Sequence, residues 1–194
     1  LGTINDDGLS FISDISEAKS YQFINSDIFA QAYASYLVGL SDVALPDNHY
    51  DAPLYGFLMK SLDLIEEKID MVVVTFIFEL QVMSRFGAQL DFGQCVFCHR
   101  KDLPMDFSYK FNGCLCRNHF DEDMKRSHVD PNVIFLCQSF MAMDLEKLPS
   151  INLSDDLKKK IRVFIDALYD HYIGVQIKAK KFIDGLDGWA DIMK

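Results

Sequence analysis

Long apolar runs are missing from this chain. The most hydrophobic stretch, Met71 to Phe78, is followed at once by Glu79 and falls far short of the roughly 20 residues that span a bilayer, so it does not read as a transmembrane helix. Also missing are a glycine-rich phosphate loop, a nucleophile elbow and an HExxH motif, and the aspartates are scattered over caps and turns, so no catalytic set assembles. Positive charge is scarce. With 19 Lys and Arg against 29 Asp and Glu the net charge is -10, which excludes coating nucleic acid by bulk electrostatics, since that relies on Lys and Arg releasing condensed counterions. Any DNA contact has to come from a local patch. No secretory leader, internal repeat or low-complexity tract is visible either, and Leu1 rather than Met stands first.

What the chain does have is enough apolar residue, 49% over 194 positions, to bury a sizeable core. Its five cysteines, Cys95, Cys98, Cys114, Cys116 and Cys137, are odd in number, and four lie within one short stretch. That usage suits metal chemistry in a reducing compartment better than disulfides, and a cytoplasmic location is the expectation.

The first residues place two short apolar-containing runs around Asp6-Asp7-Gly8, a hairpin signal. An isolated hairpin is marginal in water, so these strands read as the remnant of a sheet whose other strands precede Leu1. From Ser26 the period changes to three and four, with Ile28, Phe29, Ala32, Tyr33, Tyr36, Leu37 and Leu40 following a Ser26-Asp27 cap. Asp51-Ala52-Pro53 opens a second helix, and a third, from Asp70 to about Phe86, is apolar almost all round and ends at Gly87. Asp130-Pro131 and Ser154 start two more, the last with Leu157, Ile161, Phe164, Ile165, Leu168 and Tyr172 on one stripe. The expectation is a mainly α protein: a helical bundle over 25–194, with a zinc-knuckle-like hairpin inserted at 91–121, behind a β-hairpin remnant and linker at 1–24. Cys137 reads as a small core hydrophobe.

Cys95-Val96-Phe97-Cys98 is a CxxC, and Cys116-Arg117-Asn118-His119 repeats its spacing after seventeen intervening residues, with His last. Two such turns brought together supply the four ligands of a tetrahedral structural zinc, leaving no open position for a catalytic water. Cys95, Cys98, Cys116 and His119 are the preferred set, with Cys114 an alternative third ligand and His99 an alternative fourth. Phe107, Tyr109, Phe111 and Asn112-Gly113 suit a small hairpin between the pairs. Cys95 to His99 also satisfies CxxCH, the c-type haem pattern, but this reading leaves Cys114, Cys116 and His119 without a purpose. A thiol- or metal-dependent redox enzyme using Cys95 and Cys98 is the alternative function. No strand-helix-strand pattern surrounds that pair.

The cations cluster late. Lys158, Lys159, Lys160, Arg162, Lys178, Lys180 and Lys181 face only Asp166 and Asp170 between Leu157 and Lys181, a local excess of +5. They read either as a patch for phosphate or an acidic peptide, or as a solvated helix face. His49, His128 and His171 are isolated and read as surface or capping residues.

These features in this order resemble the bacterial RecO family. The residues that carry the likeness are Phe78-Glu79-Leu80 through Phe86-Gly87, Leu90, Cys95 to His99, Gly113-Cys114-Leu115-Cys116 leading to His119, Tyr172-Ile173-Gly174, and Lys178-Ala179-Lys180-Lys181-Phe182. The resemblance implies a non-enzymatic DNA repair and recombination mediator. Such a protein has an N-terminal OB-fold that binds single- and double-stranded DNA, joined to a helical domain that carries the zinc knuckle in many members. It also implies partners: the acidic C-terminal tail of single-stranded DNA-binding protein, and RecR, in annealing strands and loading RecA. His119 stands where the family usually has a fourth Cys, a ligand zinc also accepts.

Overall fold

In a computed structural model the structure describes residues 2–3, 11–12, 14–15, 18–46, 49–148, 151–174 and 177–192, with side chains described except at 2–3, 11–12 and 186–192. Strands β1 (Gly2–Thr3) and β2 (Phe11–Ile12) pair antiparallel. The expected Asp6-Asp7-Gly8 turn between them lies outside the described residues. Helices α1 (Gln22–Ser26), α2 (Ile28–Ala44), α3 (Ala52–Glu66) and α4 (Met71–Val82) follow, and α4 tightens into a 3-10 turn, Met83–Phe86. After a three-stranded sheet come α5 (Pro131–Met141), α6 (Asp155–Tyr172) and α7 (Lys178–Ile192).

The helix starts follow from side-chain caps. Asp27 accepts the Ala30 amide, Asp51 that of Leu54, Asp70 those of Val72 and Val73, Asp130 that of Asn132 and Ser154 that of Leu157, each satisfying a donor that the first turn leaves open. Gly87 closes the α4 segment at φ +81°, a left-handed state open to glycine without strain. The end of α5 and the residues just past it are met from outside by Gln81 Nε2, which donates to Phe140 O and Met143 O at 2.9 and 2.8 Å.

The central element is α4, packed by α2, α3, α5 and α6, with every residue from Val73 to Leu80 buried. Its composition is poor for a helix. Val72, Val73, Val74, Thr75, Ile77 and Val82 are β-branched and cost at most about 0.7 kcal/mol each, whereas each fully buried Val, Ile, Leu or Phe contributes about 1.5–3 kcal/mol by leaving water. Burial outweighs propensity here. Phe78 stacks on Phe57 of α3 with centroids 4.9 Å apart.

Two features differ from the sequence reading. Lys178 onward is a helix, α7, laid on α2 with Ile183 buried; its short apolar stripe was masked by the lysines. Ile28, expected on the inner face of α2, is 54% exposed, although Ala30 in the same turn is fully buried. Among the described residues no helix is long and apolar enough to cross a membrane.

Candidate functional site

The insert between α4 and α5 is a three-stranded sheet in the order β3-β5-β4: β3 (Asp91–Cys95), β4 (Met105–Ser108) and β5 (Gly113–Cys116). β4 and β5 pair antiparallel, while β3 runs parallel to β5 with Cys95 opposite Cys114. Both Cys/His pairs therefore leave the sheet at the same end. The first leaves β3 in a tight turn: His99 N–H donates to Cys95 O at 2.8 Å, Cys95 N–H to Arg100 O at 2.9 Å, and Val96 N–H to Cys114 O at 2.9 Å. His99 closes the turn at φ +57° with its side chain exposed. The second pair leaves β5 in a 3-10 segment, Arg117–Glu122, that carries His119.

Among the described residues the ligand atoms of Cys95, Cys98, Cys116 and His119 lie within 4.8 Å of one another, a group that could hold a metal ion. Cys98 Sγ is 3.7 Å from Cys116 Sγ, and His119 Nδ1 is 3.5 Å from Cys95 Sγ and 3.4 Å from Cys116 Sγ. A tetrahedron with Zn–S near 2.3 Å and Zn–N near 2.0–2.1 Å has edges of about 3.8 Å between sulfurs and about 3.6 Å between sulfur and nitrogen. The residues fit that ion. Phe97 stacks on the His119 ring, centroids 5.4 Å apart and 22° from parallel, and meets Phe111 edge-on. Burial works against the Cys95 thiolate, but the backbone amides of Cys116, Cys98 and Phe97 point at its sulfur and bring the thiol down to about 6, the ionised form a metal takes.

The alternatives separate on burial. Cys114 belongs to the apolar core with Phe92, Phe107 and Cys137, and burial, helped by nearby Asp91, pushes its thiol well above the ordinary range. Burial alone lifts Cys137 to about 12.

The late cations do not form one surface. Lys158 pairs with Asp70 at 2.5 Å, and Lys160 with Asp156 and Asp130 at 2.9 and 3.4 Å. Arg162 turns inward to Glu79, and Lys180 pairs with Asp166 at 3.2 Å and also with Asp184. Lys178 and Lys181 are exposed on α7. Lys159 and Lys160 line a groove of about 810 Å³ with an apolar floor that includes Val129, Val133, Val163 and Phe164. Lys180 and Lys181 line a separate one of about 300 Å³ beside Tyr36 and Tyr169. The +5 counted along the chain is offset by Asp70, Glu79 and Asp130, brought in by the fold, and by Asp156 and Asp184, each one helical turn from its lysine.

Two sets of residues escaped the sequence reading. One surrounds Glu79, whose carboxylate accepts Tyr36 Oη at 2.6 Å and whose carbonyl accepts Tyr169 Oη at 2.8 Å; a lone carboxylate in an all-apolar helix was the signal, since it requires a partner. The other surrounds Asp106, and nothing in its neighbours marks it. His49, His128 and His171 are exposed, and His171 packs on the rings of Tyr109 and Tyr172.

Fold and site together define a mainly helical domain with a Cys/His insert that could hold a metal ion. A family model described as Recombination protein O C terminal matches residues 25–181. The DNA repair protein RecO of Lactococcus lactis subsp. lactis is 58% identical over 192 residues, covering 99% of this chain and 76% of the relative. That of Streptococcus thermophilus is 54% identical over 191 residues, covering 98% and 74%, and that of Streptococcus equi subsp. zooepidemicus 49%, covering 98% and 75%. No solved structure matches. The chain belongs to the RecO family of DNA repair proteins.

Proposed function

We propose that this protein is a non-enzymatic recombination mediator in the cytoplasm. In this reading it binds single-stranded DNA-binding protein through that protein's acidic C-terminal tail, RecR, and single- and double-stranded DNA, promoting strand annealing and RecA loading. Residues 1–24 are read as the end of a DNA-binding OB-fold with its linker, and 25–194 as the helical partner-binding domain. Cys95, Cys98, Cys116 and His119 hold a structural zinc. When bound, the ion supplies a crosslink between two loops, since four protein ligands leave it no position for a substrate.

The observation that carries the tail assignment is the groove in which Lys159 and Lys160 stand over an apolar floor. Lys160 is held there by Asp130 and Asp156, so carboxylates of a tail would exchange with fixed acids already in place. Such a trade favours specificity over bulk attraction and suits a chain of net charge -10. Binding of a fluorescent peptide carrying the acidic tail is the test. Lys159→Glu with Lys160→Glu is expected to abolish binding, and Lys178→Glu with Lys181→Glu to leave it nearly unchanged; the reverse pattern moves the site to α7.

The rival reading, a redox enzyme working through Cys95 and Cys98, draws on the acidic Cys95 thiol. It predicts a reactive thiolate in the metal-loaded protein. Thiol titration with and without a chelator, together with elemental analysis, separates the two: masked thiols and about one zinc per chain support the mediator.

A further inference from the structure

The metal centre and the groove meet in the segment that follows His119. Phe120 lies against the guanidinium of Arg126, 4.3 Å from ring centroid to Cζ, and Arg126 Nη1 donates to Phe120 O at 3.2 Å. Arg126 Nε is in turn 3.0 Å from Asp106 Oδ2, an ion pair by proximity that lacks the alignment of a hydrogen bond. Asp106 sits in β4 opposite Leu115, the residue between Cys114 and Cys116, and is 4% exposed. Its carboxylate also accepts the backbone amides of Phe107 at 2.8 Å and of His128 and Val129 at 3.0 Å each. Phe107 O, the next carbonyl along β4, accepts both the amide and the hydroxyl of Ser127 at 2.8 Å.

Ser127, His128 and Val129 form one wall of the Lys159/Lys160 groove. His128 holds φ +54°, a backbone state that a non-glycine residue keeps only when its surroundings impose it. The restraint is Asp106. A buried carboxylate must keep its donors, and if the wall swings away Asp106 is left with a desolvated charge short of two amides. On its other side the same carboxylate is tied through Arg126 and Phe120 to His119, and through strand pairing to Cys116.

We propose that Asp106 and Arg126 form a clasp through which the metal centre holds the Ser127–Val129 wall of the groove, so that loss of metal loosens the wall while the helical core stays folded. The consequence for an acidic tail rests on the groove assignment made under Proposed function; the clasp itself does not.

Hydrogen–deuterium exchange on the zinc-loaded full chain tests this, before and after chelation and in Arg126→Gln. Chelation is expected to speed exchange of residues 127–129 by roughly tenfold or more with α4 and α6 unchanged. Arg126→Gln should speed the same amides while still binding zinc and giving an unaltered thiolate-to-cobalt absorption band. Asp106→Asn should act in the same direction, and Arg126→Gln keeps the test open should that variant fail to fold. The clasp is overturned if 127–129 stay protected after chelation, if α4 and α6 lose protection together with them, or if Arg126→Gln leaves their exchange unchanged. Peptide binding read in parallel keeps the two claims apart. Exchange that responds in a protein that binds no acidic peptide sinks the groove assignment and leaves the clasp standing; peptide affinity unmoved by chelation, with the wall loosened, sinks the link between them.

Discussion

Glu79 and Arg162 meet as a two-pronged ion pair inside the bundle, at 2.7 and 3.0 Å, although 83 residues separate them. Glu79 is fully buried, the Arg162 side chain is 19% exposed, and the guanidinium also reaches Asp166 at 2.8 Å. The pair joins α4 to α6, and Tyr36 brings in α2. Removing one partner strands the other charge, so Arg162→Ala and Glu79→Ala are each expected to cost about 3–5 kcal/mol. The double change Glu79→Leu with Arg162→Met restores apolar packing and should cost clearly less than either. Urea unfolding of the three variants measures this; a double variant as unstable as the singles would contradict it.

Cys114 and Cys116 stand two residues apart in one strand in different settings, Cys114 in the apolar core and Cys116 in the Cys/His group. Cys116→Ser is expected to abolish stoichiometric zinc binding. Cys114→Ser should keep the metal and lower stability by about 1–3 kcal/mol, since a hydroxyl replaces a thiol in an apolar site. Elemental analysis and thermal unfolding of the two variants distinguish these outcomes.

A methyl group at Gly113 would meet Val96 Cγ1 at 2.6 Å, and Val96 belongs to the first ligand turn. Gly113→Ala is therefore expected to push β5 from β3, to destabilise by about 1–3 kcal/mol and to weaken zinc binding in a chelator competition. Gly56→Ala, in α3 with nothing within 4 Å of the added carbon, is the contrasting case and should stabilise by about 0.5–1 kcal/mol. Equal effects at the two sites would refute the steric argument.

Glu66 docks α1 onto α3 by accepting the amides of Gln22, Phe23 and Ile24 at 2.7, 3.0 and 3.0 Å. Desolvation works against its charge, but these donors outweigh it and hold the carboxyl below its ordinary 4.5. A group depressed in the folded state contributes stability above its unfolded pKa and loses it as pH falls through the folded one. Docking of α1 should be complete at neutral pH and loosen only in acid below that ordinary value. Amide exchange of 22–26, corrected for the intrinsic rate, should show this, and Glu66→Gln should loosen α1 at neutral pH and flatten the acid dependence.

Local chemistry was readable in the sequence wherever cause and effect lie within a few residues. The caps at Asp27, Asp51, Asp70, Asp130 and Ser154 and the apolar stripe of α6 depend on neighbours three or four positions away. The spacing of the two ligand pairs likewise picked out the four residues that the fold gathers. Pairing over long distance was not readable. Arg162 looked like a surface cation because Glu79 is far away along the chain, and Lys158 and Lys160 looked unopposed because Asp70 and Asp130 arrive from the starts of α4 and α5. Asp156 and Asp184, one turn away on the same helices, lay just outside the stretch counted. The parallel pairing of β3 with β5 was hidden for the same reason. It depends on a crossover, not on a turn, and no local residue announces it.

That parallel pairing has a consequence for how the molecule tolerates change. Because β3 and β5 run side by side in the same direction, the chain leaves for its excursion through β4 and returns for its second ligand pair at neighbouring points, Cys95 and Cys114 facing each other. Within that excursion β4 is fixed, packed on α5 and bonded through Asp106 to His128 and Val129, so tolerance to added length falls on the loop before it. The stretch from Lys101 to Leu103, outside the strands and clear of the ligands, is thus a natural place to graft a tag or a reporter loop while the bundle keeps its shape.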